Sequence, residues 1–225
     1  FVRVIFFEKV ISMKRCRRLS AWLMILMLLV SLCTVPAQAA EEGDQITILF
    51  THDLHSHFLP QPAEGGGESG GYARLKTVID EQKALYPDAV LLDGGDFSIG
   101  SLIQTLYTAQ AAELRTMGAM GYDATTIGNH EFDKCPALLQ GAIEYANFPI
   151  LCANMQSNTN SLSTLPGPIT LKTRNGVKCF ITGVVTNDDN GHPEGSDEVF
   201  ADLSFSDPME AAKSELKQHR ADASI

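Results

Sequence analysis

The sequence predicts an α/β fold. Two observations carry this: short apolar runs alternate with segments of helical apolar spacing, and polar clusters recur where the runs end. Alternation of this kind builds a sheet flanked by helices, and in open α/β sheets ligands bind outside the carboxyl ends of the strands.

Residues 46–50 (ITILF) read as a buried strand. Residues 59–71, with Pro60, Pro62 and a cluster of glycines, form a loop. Leu75, Val78, Ile79 and Leu85 mark a helix over 72–85, closed by Pro87. Residues 89–92 are a second apolar strand that runs straight into Asp93-Gly94-Gly95-Asp96. A helix over 109–120 ends at Gly121, and a strand over 124–127 leads into Gly128-Asn129-His130-Glu131. A helix over 136–146 and a strand over 149–153 follow. Further on, residues 169–173 and 177–185 flank Asn175-Gly176, a hairpin-turn signal. Asp207 caps a last helix, Pro208 takes its first turn and Glu210 completes a capping box, with the helix running to about residue 220. Residues 221–225 read as the approach to another strand. No internal repeat is visible, and the domain is expected over residues 40–225.

The first forty residues stand apart. From Met13 a basic stretch (Lys14, Arg15, Arg17, Arg18) precedes an apolar run over 21–35 and then Ala37-Gln38-Ala39. These are the three parts of a secretory signal peptide over 13–39, and the run is shorter than the 18 or so apolar residues of a membrane span. Residues 1–12 are expected to be upstream sequence rather than part of the natural product. Membrane contact is accordingly expected only through the signal peptide during export, to the periplasm, cell envelope or exterior.

Residues 1–39 hold six of the 17 basic residues and one of the 27 acidic ones, so the remainder carries 11 against 26, a net charge of −15. Nucleic-acid binding depends on Lys and Arg neutralising phosphates, so a polymeric nucleic-acid partner is excluded. The exported part retains Cys135, Cys152 and Cys179, an odd number without CxxC spacing. They are expected to pack as small apolar residues.

Three clusters carry the chemistry: Asp53-Leu54-His55, Gly95-Asp96 and Gly128-Asn129-His130-Glu131. Each places short oxygen or nitrogen donors after an apolar strand. Carboxylate, imidazole and amide without thiolate suit divalent Zn, Mn or Mg. Singly, an Asp or Asn after a strand is a turn or cap residue; the ordered set of three is far more specific.

Thr51-His52-Asp53-Leu54-His55-Ser56-His57, Gly94-Gly95-Asp96 and Gly128-Asn129-His130-Glu131-Phe132-Asp133 resemble the first three blocks of the calcineurin-like metallophosphoesterases. Gly71-Tyr72-Ala73-Arg74 and Gly121-Tyr122-Asp123-Ala124 resemble the secreted 5'-nucleotidase and periplasmic UDP-sugar hydrolase branch. The resemblance implies a sandwich of mixed β-sheets flanked by helices, two divalent metal ions and a nucleotide substrate. It implies Asp53 and His55 on the first metal, Asp96 bridging, and Asn129 on the second. His130 would face the phosphate beside Asn129, and Asp133 would orient its imidazole. His52 and His57 match no ligand position.

The sequence departs from the family pattern in two respects. The family's later metal-histidine blocks, one of them Gly-His-x-His, do not occur in these 225 residues, nor does the C-terminal nucleotide-binding domain of the branch. The expectation is therefore a C-terminally truncated, N-terminal piece that is inactive alone. Beside a thiosulfate-ester hydrolase of the same superfamily, two alternatives share the sequence. One is a 2',3'-cyclic-nucleotide 2'-phosphodiesterase with 3'-nucleotidase activity. The other is a non-catalytic secreted module in which Asp53, Asp96 and Asn129 serve only as caps; convergence of Asp53, His55, Asp96 and Asn129 within one metal-sized pocket would favour the enzyme, and their scatter the module. N-terminal sequencing of the exported product should start at or near Ala40, and a product that retains Phe1 would contradict the signal-peptide reading.

Overall fold

The computed structural model describes residues 46–221, apart from 134, 135, 160, 161, 163, 164 and 166. The signal-peptide and upstream readings, Cys135 and the strand approach after residue 221 lie outside the described residues.

In chain order the elements are β1 (Ile48–Thr51), β2 (Gln61–Pro62), β3 (Glu68–Ser69), α1 (Tyr72–Leu85), β4 (Val90–Asp93), a short 3-10 helix (Leu102–Leu106), α2 (Tyr107–Gln110) and α3 (Ala112–Met120). Then come β5 (Ala124–Thr126), a 3-10 turn (His130–Phe132), α4 (Pro136–Ile143), β6 (Ile150–Leu151), β7 (Met155–Ser157), β8 (Ile169–Lys172), β9 (Lys178–Ile181), α5 (Asp197–Phe200), β10 (Leu203–Phe205) and α6 (Pro208–His219).

The main sheet is parallel, in the order β1-β4-β5-β6. Parallel neighbours need crossover connections, and α1, α3 and α4 lie on those connections. Leu91, Ile127 and Ile150 from the sheet layer join Ile79, Leu114, Met117 and Leu139 from the helices in one core. Three antiparallel pairs, β2-β3, β7-β10 and β8-β9, accompany the sheet. The fold is thus the α/β class expected, with parallel and antiparallel pairing together.

Local departures from the sequence reading have physical causes. The first strand is not buried: Leu49 packs on the core, but Ile48 and Phe50 point the other way and are 54% and 60% exposed. With Ile46, Val90, Leu92, Ile181 and Leu216 nearby, this face borders an apolar groove of about 390 Å³. The helix expected over 109–120 breaks at Ala111, which adopts φ 45° and separates α2 from α3. Ala has high helix propensity, so nothing local announces the break. The Asn175-Gly176 hairpin forms as read, with Gly176 at φ 92° and Thr173 N–H donating to Val177 O at 2.9 Å. Asp207 caps α6 by accepting from Glu210 N–H at 2.8 Å, while the Glu210 side chain takes Lys213. Cys152 and Cys179 are free and buried. No helix among the described residues is long and apolar enough to cross a membrane.

What positions the site is the end of the sheet. Thr51, Asp93 and Thr125 pair across β1, β4 and β5 in one row. Asp93 is buried and accepts from Thr51 Oγ1 at 2.6 Å, Thr125 Oγ1 at 2.7 Å and its own loop's Gly95 N–H at 3.0 Å. Burial pushes its carboxyl above the ordinary range, and those donors pull it back. Replacing Asp93 with Ala removes three hydrogen bonds made to one buried carboxyl, a cost of about 3 kcal/mol. Urea denaturation of Asp93→Ala should show a loss of that size.

Candidate functional site

Beyond the Thr51–Asp93–Thr125 row, the three strands deliver the three sequence clusters to one corner. The chain after β1 stays beside the chain after β4: Asp53 N–H donates to Gly95 O (3.1 Å), His55 N–H to Asp96 O (3.0 Å) and Ser56 N–H to Phe97 O (3.0 Å). The loop after β4 meets the loop after β5 where Asp96 Oδ1 accepts from His130 N–H at 3.0 Å.

The backbone there is strained. Asp53, His55, Ser56, Asp96 and Ile99 all have φ between 45° and 66°, leaving Ala111 as the one described non-glycine residue of positive φ elsewhere. Left-handed conformations cost such residues about 1–2 kcal/mol each, and strain of this kind clusters at functional sites. Two glycines permit the approach of the loops: Gly95 lies at φ 90°, and a Cβ on Gly128 would collide with the Asp96 carboxylate.

The side chains gather unevenly. Asp53 Oδ1 lies 3.9 Å from His55 Nε2, and the His55 ring packs edge-on against His130 at 5.1 Å between centroids. His130 Nδ1 is 3.0 Å from Asp133 Oδ2. Asn129 precedes the 3-10 turn, and its side chain makes no capping bond. Asp53 is half exposed and contacts His52 at 2.9 Å. The Asp96 carboxylate bonds no described amide of its own turn and instead accepts from the distant His130 amide. Among the described residues no three His, Cys, Asp or Glu side chains are already grouped as a metal cage. The donors nonetheless share one corner and supply the oxygen and nitrogen ligands that hard or borderline divalent ions take. The residues fit such ions in kind, although their side chains are not closed around a point.

His130 is partly exposed. Burial works against its protonation, but the hydrogen bond and charge of Asp133, with Asp96 and Glu131 behind, outweigh burial and raise its pKa above the ordinary value. His57 bonds the Leu54 carbonyl at 3.3 Å. His192 pairs with Asp197 and stacks on Phe200, and His219 stacks on Phe180.

Two buried carboxylates under the corner were not singled out from the sequence. Glu113, from α3, accepts from Ser56 Oγ at 2.6 Å and so supports the turn that carries His55; burial raises its pKa. Glu131 is 1% exposed and takes hydrogen bonds from both neighbouring loops. Burial pushes its carboxyl up to about 7, the Ser98 and Gly128 amides oppose this, and the charge of Asp96 adds to it. The only sequence signal for Glu131 is its place inside Gly128-Asn129-His130-Glu131.

Fold and site together define a class: an α/β domain whose parallel strands end in a corner of carboxylate, imidazole and amide donors. Residues 46–222 match the calcineurin-like phosphoesterase family, and the chain belongs to that family. Protein UshA of Salmonella pullorum is 36% identical over 189 residues, 81% of this chain and 33% of that protein. The 5'-nucleotidase of Vibrio cholerae serotype O1 is 35% identical over 194 residues, 82% of this chain and 34% of that one. The crystal structure of the 5'-nucleotidase precursor from Thermus thermophilus superposes with a TM-score of 0.70 at 26% identity, covering 79% of this chain and 35% of that chain. The chain thus spans about a third of the length of the curated relatives it matches.

Asp133→Asn removes the largest influence that raises the His130 pKa. An NMR titration of the metal-free chain should therefore find the His130 midpoint moved to lower pH, and an unchanged midpoint would mean the pair does not couple.

Proposed function

We propose that this chain supplies the first part of the catalytic centre of an exported, two-metal phosphohydrolase that releases phosphate from nucleotides, in the manner of a 5'-nucleotidase. The observation that carries the reading is the meeting of the His55 and His130 rings at 5.1 Å, with Asp53 beside one and Asp133 holding the other. The names of the relatives support a nucleotide substrate, and the excess of acidic residues argues against a nucleic-acid polymer. The leader-like residues 13–39 support export.

In this reading Asp53 and His55 would hold one divalent ion, Asn129 would hold the second, and Asp96 would serve both. When bound, the ions supply Lewis-acid polarisation and charge stabilisation for in-line displacement at phosphorus. His130 donates a hydrogen bond to the phosphoryl group or a proton to the leaving oxygen, and Asp133 sets the orientation and raises the proton affinity of its ring. The left-handed turns at Asp53 and Asp96 present their carboxylates at the strand ends.

Because the family's later metal histidines do not occur in these residues, the chain alone is expected to bind Mn²⁺ weakly and to turn over little AMP. Fused to the remainder of the Vibrio cholerae relative, it should release phosphate from AMP only with added Mn²⁺ or Zn²⁺. In that fusion His130→Ala should lower kcat at least about a hundredfold, within the range for removal of an acid–base group. Full activity in the His130→Ala fusion would overturn the assignment.

A further inference from the structure

We infer that Glu131 is a positioning residue for the metal-binding corner. It acts as a clamp that sets the distance between the loop bearing Asp96 and the loop bearing Asn129 and His130. The inference rests on the metal-site reading above and goes beyond it by assigning a role to a side chain that touches neither ion nor substrate.

The geometry is specific. Oε2 accepts from Asp96 N–H at 2.9 Å and from Gly128 N–H at 2.7 Å, one donor from each loop on a single oxygen. Oε1 accepts from Ser98 N–H at 3.0 Å and Ser98 Oγ at 2.8 Å. A carboxylate offers about four lone-pair sites, so all are used. The four donors come from backbone and hydroxyl groups, and the side chain is 1% exposed. Solvent therefore cannot replace it.

The clamp opposes a definite strain. Asp96 sits at φ 52°, a conformation that an L side chain leaves when free, and its amide is one of the two held by Oε2. The Asp96 carboxylate in turn reaches the His130 amide. Glu131, Asp96 and His130 thus close a ring of hydrogen bonds across the ends of β4 and β5. A backbone displacement of even an ångström at this ring moves a bridging carboxylate relative to Asn129, and metal affinity depends on such placement. A residue that merely filled the core would lend stability without this dependence.

The test compares Glu131→Gln, Ser98→Ala and the core control Leu114→Ala in the full chain, by Mn²⁺ titration followed by electron paramagnetic resonance and by amide exchange in the metal-free protein. Glu131→Gln turns an NH₂ group or a weaker acceptor toward the donors. It should weaken Mn²⁺ binding at least fivefold and speed exchange at the Asp96 and Gly128 amides at least tenfold. Leu114→Ala should lose thermal stability yet keep Mn²⁺ affinity within twofold of the parent. Should Glu131→Gln not fold, Ser98→Ala, which removes one of the four donors, should weaken Mn²⁺ binding two- to threefold and speed exchange at residues 96 and 98. Parental Mn²⁺ affinity in the folded clamp variant overturns the positioning role, whatever happens to stability. If the parent and Asp96→Asn bind Mn²⁺ equally poorly, the metal-site reading fails instead. The clamp is then judged by exchange alone: unchanged rates in the variant overturn it, and faster rates at residues 96 and 128 support it.

Discussion

Everything at the site depends on parallel pairing of β1, β4 and β5 in a register that sets Thr51, Asp93 and Thr125 side by side. Parallel strands point the same way, so the chain leaving each one emerges at a common edge. Asp93 ties that edge together by accepting a hydroxyl from each neighbouring strand. A slip of one residue would turn every side chain on a strand to the opposite face, breaking the row and sending one cluster away from the other two. The site is therefore a product of register before it is a product of its own residues.

The loops beyond the strands continue the same logic with less regular backbone. Hydrogen bonds from Asp53, His55 and Ser56 to the chain after β4 extend the pairing past the last strand residue. Five left-handed residues bend that extension beyond the strand ends. Buried carboxyl groups hold the bends: Asp93 under the row, Glu113 under Ser56 and Glu131 between two loops. None of the three has a Lys or Arg within ion-pair distance among the described residues, so hydroxyl and amide dipoles provide their stabilisation.

Much of this was legible in the sequence. Apolar periodicity located α1 to the residue, and the motifs located the three strand-end clusters because their residue types are chemically unusual in that position. The missing parts are those set by tertiary contact. Ala111 breaks a helix that its own propensity would continue. The composition of residues 46–50 looks like a buried strand, yet burial depends on how closely a face is covered, and Ile48 and Phe50 border open grooves rather than packed core. Glu131 enters the sequence reading only as a member of the third cluster and Glu113 not at all, because their depth and most of their donors arise from segments 33 to 57 positions away. The metal roles of Asp53, His55, Asp96 and Asn129 came from resemblance, and the side chains here are gathered without being closed around an ion.

The order of the strands bears on how the molecule is made. β1 cannot bond to β4 until about forty further residues have left the ribosome, and β5 joins only after about thirty more. Such nonlocal closure is intrinsically slow, and while it waits the hydrophobic side of ITILF has no covering layer. The strand-end corner therefore cannot take its shape before residue 126 has been made.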